Sequence, residues 1–434
     1  MIILLTVCLK YTKNIENGSV ILADNEFLKL GVQPGFVKQL EERNIKEATD
    51  IQRKVIARLA ANESVFFTSA TGTGKTFAYL LPLLGKLLDN RQVQAAEHSE
   101  NKIKFLIIAP TLELCTQIKN ELDFLLKETD IRTSLLIGSV NLERQIDNLR
   151  KNKPDIAVGN PNRLLVLAKK RIIKFNSLRY LVLDEADRLA SDEMTDDTSQ
   201  LCSIIRRSIK GNGNIPLIAA CSATMNKKCR EKLLSILGGR EQLKIEFVES
   251  EDNEILRDKI EHWAIFSEKR RKDQTLRSLL AALKTKKKRI KALVFTSRGD
   301  EASFVLAHLQ HHQVKAAGLF GKAGKKAIPG AERKAALDSF RQGSIETLVS
   351  TDLAGRGLDI PDITHVIALD VPSDTEVYIH RCGRTGRAGK RGVMITIGDE
   401  TQMRLLALME KKLKIKVQPK ELYYGQVCVP QPLD

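Results

Sequence analysis

Paired cysteines are missing from this chain. Its seven thiols, Cys8, Cys115, Cys202, Cys221, Cys229, Cys382 and Cys428, form no CxxC pair. That argues against a zinc site, and an odd, unpatterned set fits reduced thiols in a cytoplasmic protein. The seven histidines lack metal-ligand spacing as well, and His311 and His312 read as a surface pair. The apolar opening MIILLTVCL is nine residues long, whereas a membrane helix takes about 20. It also lacks the basic segment of a secretory signal, and reads as a first strand or as residues upstream of the true start codon. There is no Pro-rich or Gly/Ser-rich tail and no internal repeat. No membrane partner is expected.

What is present is a large, basic, core-forming chain. With 434 residues and 43% hydrophobic content, it can form two or three domains, each with its own core. The net charge of +17 suggests a polyanionic partner, nucleic acid first. Short apolar runs alternate with helical stretches: residues 65–69, 105–110, 134–138, 155–159, 180–184 and 216–223, then 262–266, 292–296, 314–320, 347–351, 365–369 and 393–397. Runs rich in Val, Ile and Leu without strict alternation suit strands buried on both faces. Helices between them imply parallel βαβ units. The pattern occurs twice, divided by an acidic stretch from Glu249 to Glu254. The expected fold class is α/β, with two domains over 20–248 and 258–425, each a mostly parallel sheet flanked by helices. In such sheets ligands bind outside the carboxyl ends of the strands.

Two stretches carry chemistry. The first is SATGTGKT, Ser69, Ala70, Thr71, Gly72, Thr73, Gly74, Lys75 and Thr76, which follows a strand and precedes a helix. It fits the phosphate-loop pattern except that Ser69 stands where the first Gly belongs. Gly72 and Gly74 let backbone N–H groups turn toward phosphate oxygens, and the helix N-terminus adds its dipole. Lys75 would reach the β- and γ-phosphates of a nucleotide, and the Thr76 hydroxyl would ligate Mg²⁺. The second is Leu181 to Asp187, an apolar strand ending in carboxylates. Asp184 would hold Mg²⁺ through water, and Glu185 would polarise the attacking water.

Through Asp184-Glu-Ala-Asp187 the sequence closely resembles the DEAD-box RNA helicases of helicase superfamily two. Ser222-Ala-Thr224 matches the family's SAT motif. Thr351 to Ile360, TDLAGRGLDI, and His380 to Arg387, HRCGRTGR, match two more, in the family's order. The resemblance runs from about Phe27 to beyond Gly392 and implies two tandem RecA-like domains, ATP and Mg²⁺ as cofactors, and RNA-stimulated ATP hydrolysis. It also implies the following roles. Gln52, in the stretch Asn44 to Gln52, would read the adenine edge, and Phe27 would stack on adenine. Asp359 would contact the ribose. Arg384 and Arg387 would act as arginine fingers. Asp187, Ser222, Thr224 and His380 would couple the ATP site to the RNA site.

The same resemblance implies largely sequence-independent contacts to single-stranded RNA or short duplexes. They would come from Thr111, Glu113, Gly138, Arg163, Thr296, Arg333 and Thr351. Four positions depart from the family on this face. Leu112 stands where the family has Arg, Ser139 replaces a Gly, and Asn160 and Asn162 alter a TPGR motif. The first half is therefore expected to grip RNA weakly, with Lys322, Lys325 and Lys326 of the second half compensating. Partners in ribonucleoprotein or ribosome assembly are compatible with this reading. The basic runs 269–272, 286–289 and 411–416 read as solvated helix faces.

Overall fold

The computed structural model describes residues 25–69, 73–93, 103–210, 215–239, 243–249, 259–284, 290–320, 330–352, 363–386 and 390–430. The first sheet contains β1 (Ser64–Thr68), β2 (Phe105–Ile108), β3 (Thr133–Leu136), β4 (Ile156–Gly159), β5 (Tyr180–Asp184), β6 (Leu217–Ser222) and β7 (Ile245–Glu249). Their order is β3-β4-β2-β5-β6-β1-β7, and every pairing is parallel. The second contains β8 (Ile260–Phe266), β9 (Ala292–Thr296), β10 (Ala316–Gly318), β11 (Thr347–Thr351), β12 (His365–Ala368), β13 (Gly392–Gly398), β14 (Val417–Tyr423) and β15 (Gln426–Cys428). Its order is β10-β11-β9-β12-β13-β8-β14-β15. Here all pairings are parallel except the terminal hairpin β14–β15.

Alternation along each strand splits its side chains between two helix-covered faces. Val65 and Phe67 of β1 join one core and Phe66 the other. In the second sheet Leu293 and Phe295 of β9 lie on one face, Ala292 and Val294 on the other. Strands sandwiched in this way need apolar side chains at every position, which is why β2 reads FLII and β5 reads YLVLD with no exposed residue. Among the described residues no helix is long and apolar enough to cross a membrane, and no cluster of His, Cys, Asp or Glu could hold a metal by itself.

Three strands lie outside the sequence reading. β7 (IEFVE) and β14 (VQPKELY) are mostly half-exposed, and β15 is three residues long. β7 ends one sheet and carries two glutamates; β15 ends the other but covers only Glu421–Tyr423 of β14, so the rest of β14, with Pro419 and Lys420, lacks a strand on that side. Glu249, expected to open a linker, instead ends β7; residues 250–254 of that stretch lie outside the described residues.

Candidate functional site

β5, β6 and β1 are neighbours, with Asp184 opposite Cys221 and Thr68 opposite Ser222. The loops after these strands therefore leave the sheet side by side. Past β1, Ser69 N–H donates to Ser222 O at 3.1 Å, and the Ser69 and Thr73 hydroxyls bond to each other. Lys75 Nζ turns back to the Ser69 carbonyl at 2.6 Å. Burial pulls the Lys75 ammonium below its ordinary value, against the opposing pull of Cys221, Asp184, Glu185 and Asp187. Ala70, Thr71 and Gly72 lie outside the described residues.

Gln52 is docked on this loop. The residue is buried, with Nε2 donating to Gly74 O at 3.1 Å and Oε1 accepting from Thr49 N at 2.9 Å. Thr49 Oγ1 accepts from Gln52 N and donates to Thr73 O at 2.9 Å. A helix-capping box thus doubles as a brace for the phosphate loop. Gly74 has φ +84, and a Cβ there would lie 2.2 Å from Gln52 Nε2, so both backbone and space demand glycine. The amide of Gln52 keeps one N–H and one oxygen lone pair for a further partner. Phe27 is wholly buried and belongs to the first core.

Asp184, at the tip of β5, is also buried. Its Oδ2 accepts from Tyr79 OH at 2.8 Å, and its Oδ1 from Glu185 N at 2.8 Å and Cys221 Sγ at 3.1 Å. Burial, then the Asp184 charge, raises both the Tyr79 phenol and the Cys221 thiol far above their usual values, so both stay protonated donors. Three of roughly four carboxylate acceptor sites are used, leaving one for a metal-bound water. Together with the Thr76 hydroxyl at the start of the helix Lys75–Val93, this donor set fits a hydrated Mg²⁺ held through few protein ligands. Tyr79 and Cys221 were not singled out in the sequence. Tyr79 follows Lys75 by four positions, hence shares its helix face; Cys221 is reached only through strand register. Glu185 sits in the left-handed region at φ +48, an uncommon conformation that turns the chain sharply after the strand.

The next carboxylate faces the other sheet. Asp187 Oδ2 accepts from Thr224 Oγ1 at 3.3 Å and lies 3.1 Å from His380 Nε2. Burial pushes the Asp187 carboxyl up, but the His380 and Ser222 hydrogen bonds and the His380 charge outweigh it and hold it down at about 2. Asp187, Ser222, Thr224 and His380, the four residues with an implied coupling role, are thus together. Asn226 Nδ2 donates across the same junction to Glu376 Oε1 at 2.8 Å. Arg384 is buried next to His380, whose carbonyl accepts from its Nε at 3.3 Å; Arg387 and Asp359 lie outside the described residues. Arg381, not singled out in the sequence, is completely buried and paired with Asp352 at 2.6 and 2.8 Å and with Asp370 at 2.7 Å. It ties the TDLAGRGLDI and HRCGRTGR segments together.

The implied RNA residues form two groups. In the first, Thr111 caps the helix Leu112–Leu125, accepting from Leu114 N, while Arg163 braces a turn by donating to Gly138 O and Gln145 Oε1, both at 2.9 Å. In the second, Thr296 and Thr351 face each other at the ends of β9 and β11. Glu113 and Arg333 join the groups through a 2.7 Å ion pair. Leu112 is half-buried against the first core, so it occupies packing space rather than an open phosphate site. Asn162 is exposed and donates to Asp197. Lys322, Lys325 and Lys326 lie outside the described residues.

Residues 49–232 match the DEAD/DEAH box helicase family, and residues 271–389 the helicase conserved C-terminal domain. The chain is 31% identical over 401 residues to the DEAD-box ATP-dependent RNA helicase CshC of Bacillus cereus, covering 92% of this chain and 95% of that protein. It is 32% identical over 410 residues to the ATP-dependent RNA helicase CshA of Listeria monocytogenes, covering 93% and 73%. Among solved structures it resembles Mss116p bound to single-stranded RNA and AMP-PNP, with a TM-score of 0.78 and 26% identity over 92% of this chain and 78% of that one. The two parallel sheets, the phosphate loop beside Asp184, the meeting of Asp187 with His380, and relatives aligned over nearly the whole chain together establish that this chain belongs to the DEAD-box helicase family.

Proposed function

We propose that this chain is an ATP-dependent RNA helicase, in which two domains spanning about 20–248 and 258–425 close on ATP and RNA together. The observation that carries the reading is the meeting of His380 with Asp187 at 3.1 Å. It joins the second sheet's helix Thr375–Cys382 to the carboxylate segment beside the phosphate loop. A nucleotide bound there would be sensed by both halves, and RNA lying across the cleft would favour the same closed arrangement.

Within this reading, Gly74 and Lys75 bind the phosphates and Gln52 holds the loop in shape while offering its remaining amide groups to the base. Lys75 would exchange the Ser69 carbonyl for phosphate oxygens. Thr76 and Asp184 would hold Mg²⁺, which neutralises phosphate charge when bound. Glu185 orients and deprotonates the attacking water. Arg384, and Arg387 beside it in sequence, supply positive charge that matters most as negative charge builds in the transition state. That charge is in place only when the halves are together, so hydrolysis follows closure. Thr111, Thr296 and Thr351 stand at helix or strand ends where backbone N–H and hydroxyl groups suit phosphates and 2′-hydroxyls. The Glu113–Arg333 pair bridges the two RNA groups.

The testing experiment compares unwinding of a short RNA duplex with that of the same sequence in DNA, alongside ATP turnover with and without single-stranded RNA. RNA-selective unwinding with RNA-stimulated turnover is expected. Equal action on DNA, or turnover indifferent to RNA, overturns the proposal.

A further inference from the structure

We propose that the C-terminal hairpin tip and the basic turn after β8 form an accessory stacking platform for single-stranded RNA leaving the cleft. The proposal rests on the RNA-binding reading above and adds a second contact surface to it. β14 and β15 are joined by Tyr424 and Gly425, with Tyr423 opposite Gln426. Both turn residues have positive φ, 44° and 74°. In such two-residue turns the first position ordinarily holds Asn, Asp or Gly, and a bulky side chain in the left-handed region is disfavoured. Tyr424 nevertheless occupies it with 90% of its surface exposed. Its ring meets that of Tyr423, itself 59% exposed, at 4.5 Å between centroids. The hairpin's packing comes instead from Leu422 and Val427, which lie against the core. Two aromatic faces are thus presented to solvent at a conformational cost that the fold itself does not require.

A basic turn follows the strand that pairs with β14. β8 ends at Phe266, which is 64% exposed, and an exposed turn Lys269–Arg271 follows. Phe266 and Thr275 line one cavity with Pro419, Lys420, Glu421 and Leu422 of the hairpin, so the two segments are adjacent. Lys269, Arg270 and Arg271 outnumber Glu268, which pairs with Arg271, and Glu421; Lys420 is on the other face of β14 from Tyr423, its ammonium over the Trp263 ring. Aromatic faces among cations bind unpaired bases and backbone without regard to sequence.

Register places this platform on the right edge of the sheet. Phe295, Ala368, Thr396, Ala264 and Pro419 are successive partners across five parallel strands. Lys420 is therefore level with Thr296, and Tyr423 lies three residues further, about 10 Å beyond it along the strand direction. Four strand spacings, roughly 19 Å, separate β14 from β9. The rings project from the same carboxyl edge as Thr296 and Thr351, beside the cleft rather than in it.

The test measures binding of labelled oligouridylates, one of about 6 and one of about 16 nucleotides, with a non-hydrolysable ATP analogue. Tyr424→Asn suits the left-handed turn and removes the ring. It should weaken the long oligomer about tenfold, leave the short one unchanged, and not lower the melting temperature. Tyr424→Trp should bind like the parent. Lys269→Ala with Arg270→Ala should lower the salt slope for the long oligomer by about 1.4. Parent-like binding of both lengths by Tyr424→Asn overturns the proposal and leaves the rings to a protein partner. Equal weakening of both lengths also overturns it, because the effect would then lie in the cleft. If the parent binds neither length, the RNA reading fails and the platform with it.

Discussion

Asp187 and His380 are 193 positions apart in sequence, yet Asp187 Oδ2 and His380 Nε2 lie 3.1 Å apart, joining the two sheets. An ordinary aspartate titrates near 3.8, and this one is held at about 2. The folded-state value lies below the unfolded one, so the stabilisation is complete above about pH 4 and is lost as pH falls toward 2. Its size is on the order of 2 kcal/mol. Asp187→Asn should remove that part of the acid-induced loss, giving a flatter stability curve between pH 4 and 2 in denaturant titrations. At neutral pH it should uncouple ATP turnover from RNA, while ATP affinity changes little. An unchanged acid limb would show that the pair contributes nothing to stability.

Gln52 is predicted to act through the loop as well as through the base. Gln52→Glu keeps the Oε1 contact with Thr49 N but faces the Gly74 carbonyl with an acceptor, losing the 3.1 Å bond. Loss of a buried hydrogen bond with repulsion in its place costs about 1–3 kcal/mol, so ATP affinity should fall about tenfold or more. Gly74→Ala should be at least as damaging, since its Cβ would overlap Nε2. Nucleotide titration by fluorescence checks both. Parent-like affinity in Gln52→Glu would mean that the brace is dispensable.

Ser69 replaces a glycine but is built into the loop. Its hydroxyl bonds Thr73 and its carbonyl accepts from Lys75 Nζ; only the first contact depends on the side chain. Ser69→Ala should keep ATP affinity within about threefold while lowering stability by about 1 kcal/mol. Calorimetry together with nucleotide titration separates the two effects. A tenfold loss of affinity would assign Ser69 a direct role in holding the nucleotide.

Glu185→Gln preserves shape and removes the base. Hydrolysis should slow by about 10²–10⁴, with ATP and RNA binding retained and the complex held closed. Single-turnover hydrolysis with parallel RNA titration measures it. Normal turnover would remove Glu185 from the mechanism.

Much of this was legible because buried parallel strands cannot hide their composition. YLVLD and FLII have no polar face, and the residues that end β5 and β6 or follow β1 are those to which the proposed chemistry is assigned. What escaped was decided by neighbours distant in sequence. Cys221 reaches Asp184 only because β6 lies beside β5, and Arg381 is buried only because Asp352 and Asp370 converge on it. The outer strands β7 and β14 carry the mixed polarity of half-solvated surfaces, which does not distinguish strand from loop, and β15 is only three residues long. The complete burial of Phe27 follows from packing that the local sequence does not reveal.

Leu112 tests whether a family cation can be restored to the RNA face. It opens the helix Leu112–Leu125, is half-buried, and packs against the first core. Replacing it with Arg removes part of that apolar contact, worth about 1–2 kcal/mol for a partly buried leucine. The arginine stem can lie along the same surface with its head in water, which recovers some of the loss. A drop in melting temperature of about 2–4 °C per kcal/mol is expected for a domain of this size. A gained phosphate contact would instead raise the salt slope of single-strand binding by about 0.7. The packing observed here predicts that Leu112→Arg lowers the melting temperature by a few degrees while RNA affinity changes less than threefold. Tighter RNA binding with an unchanged melting temperature would show that the position is free to serve RNA, and would restore the idea that the first domain's grip is weak for want of this cation.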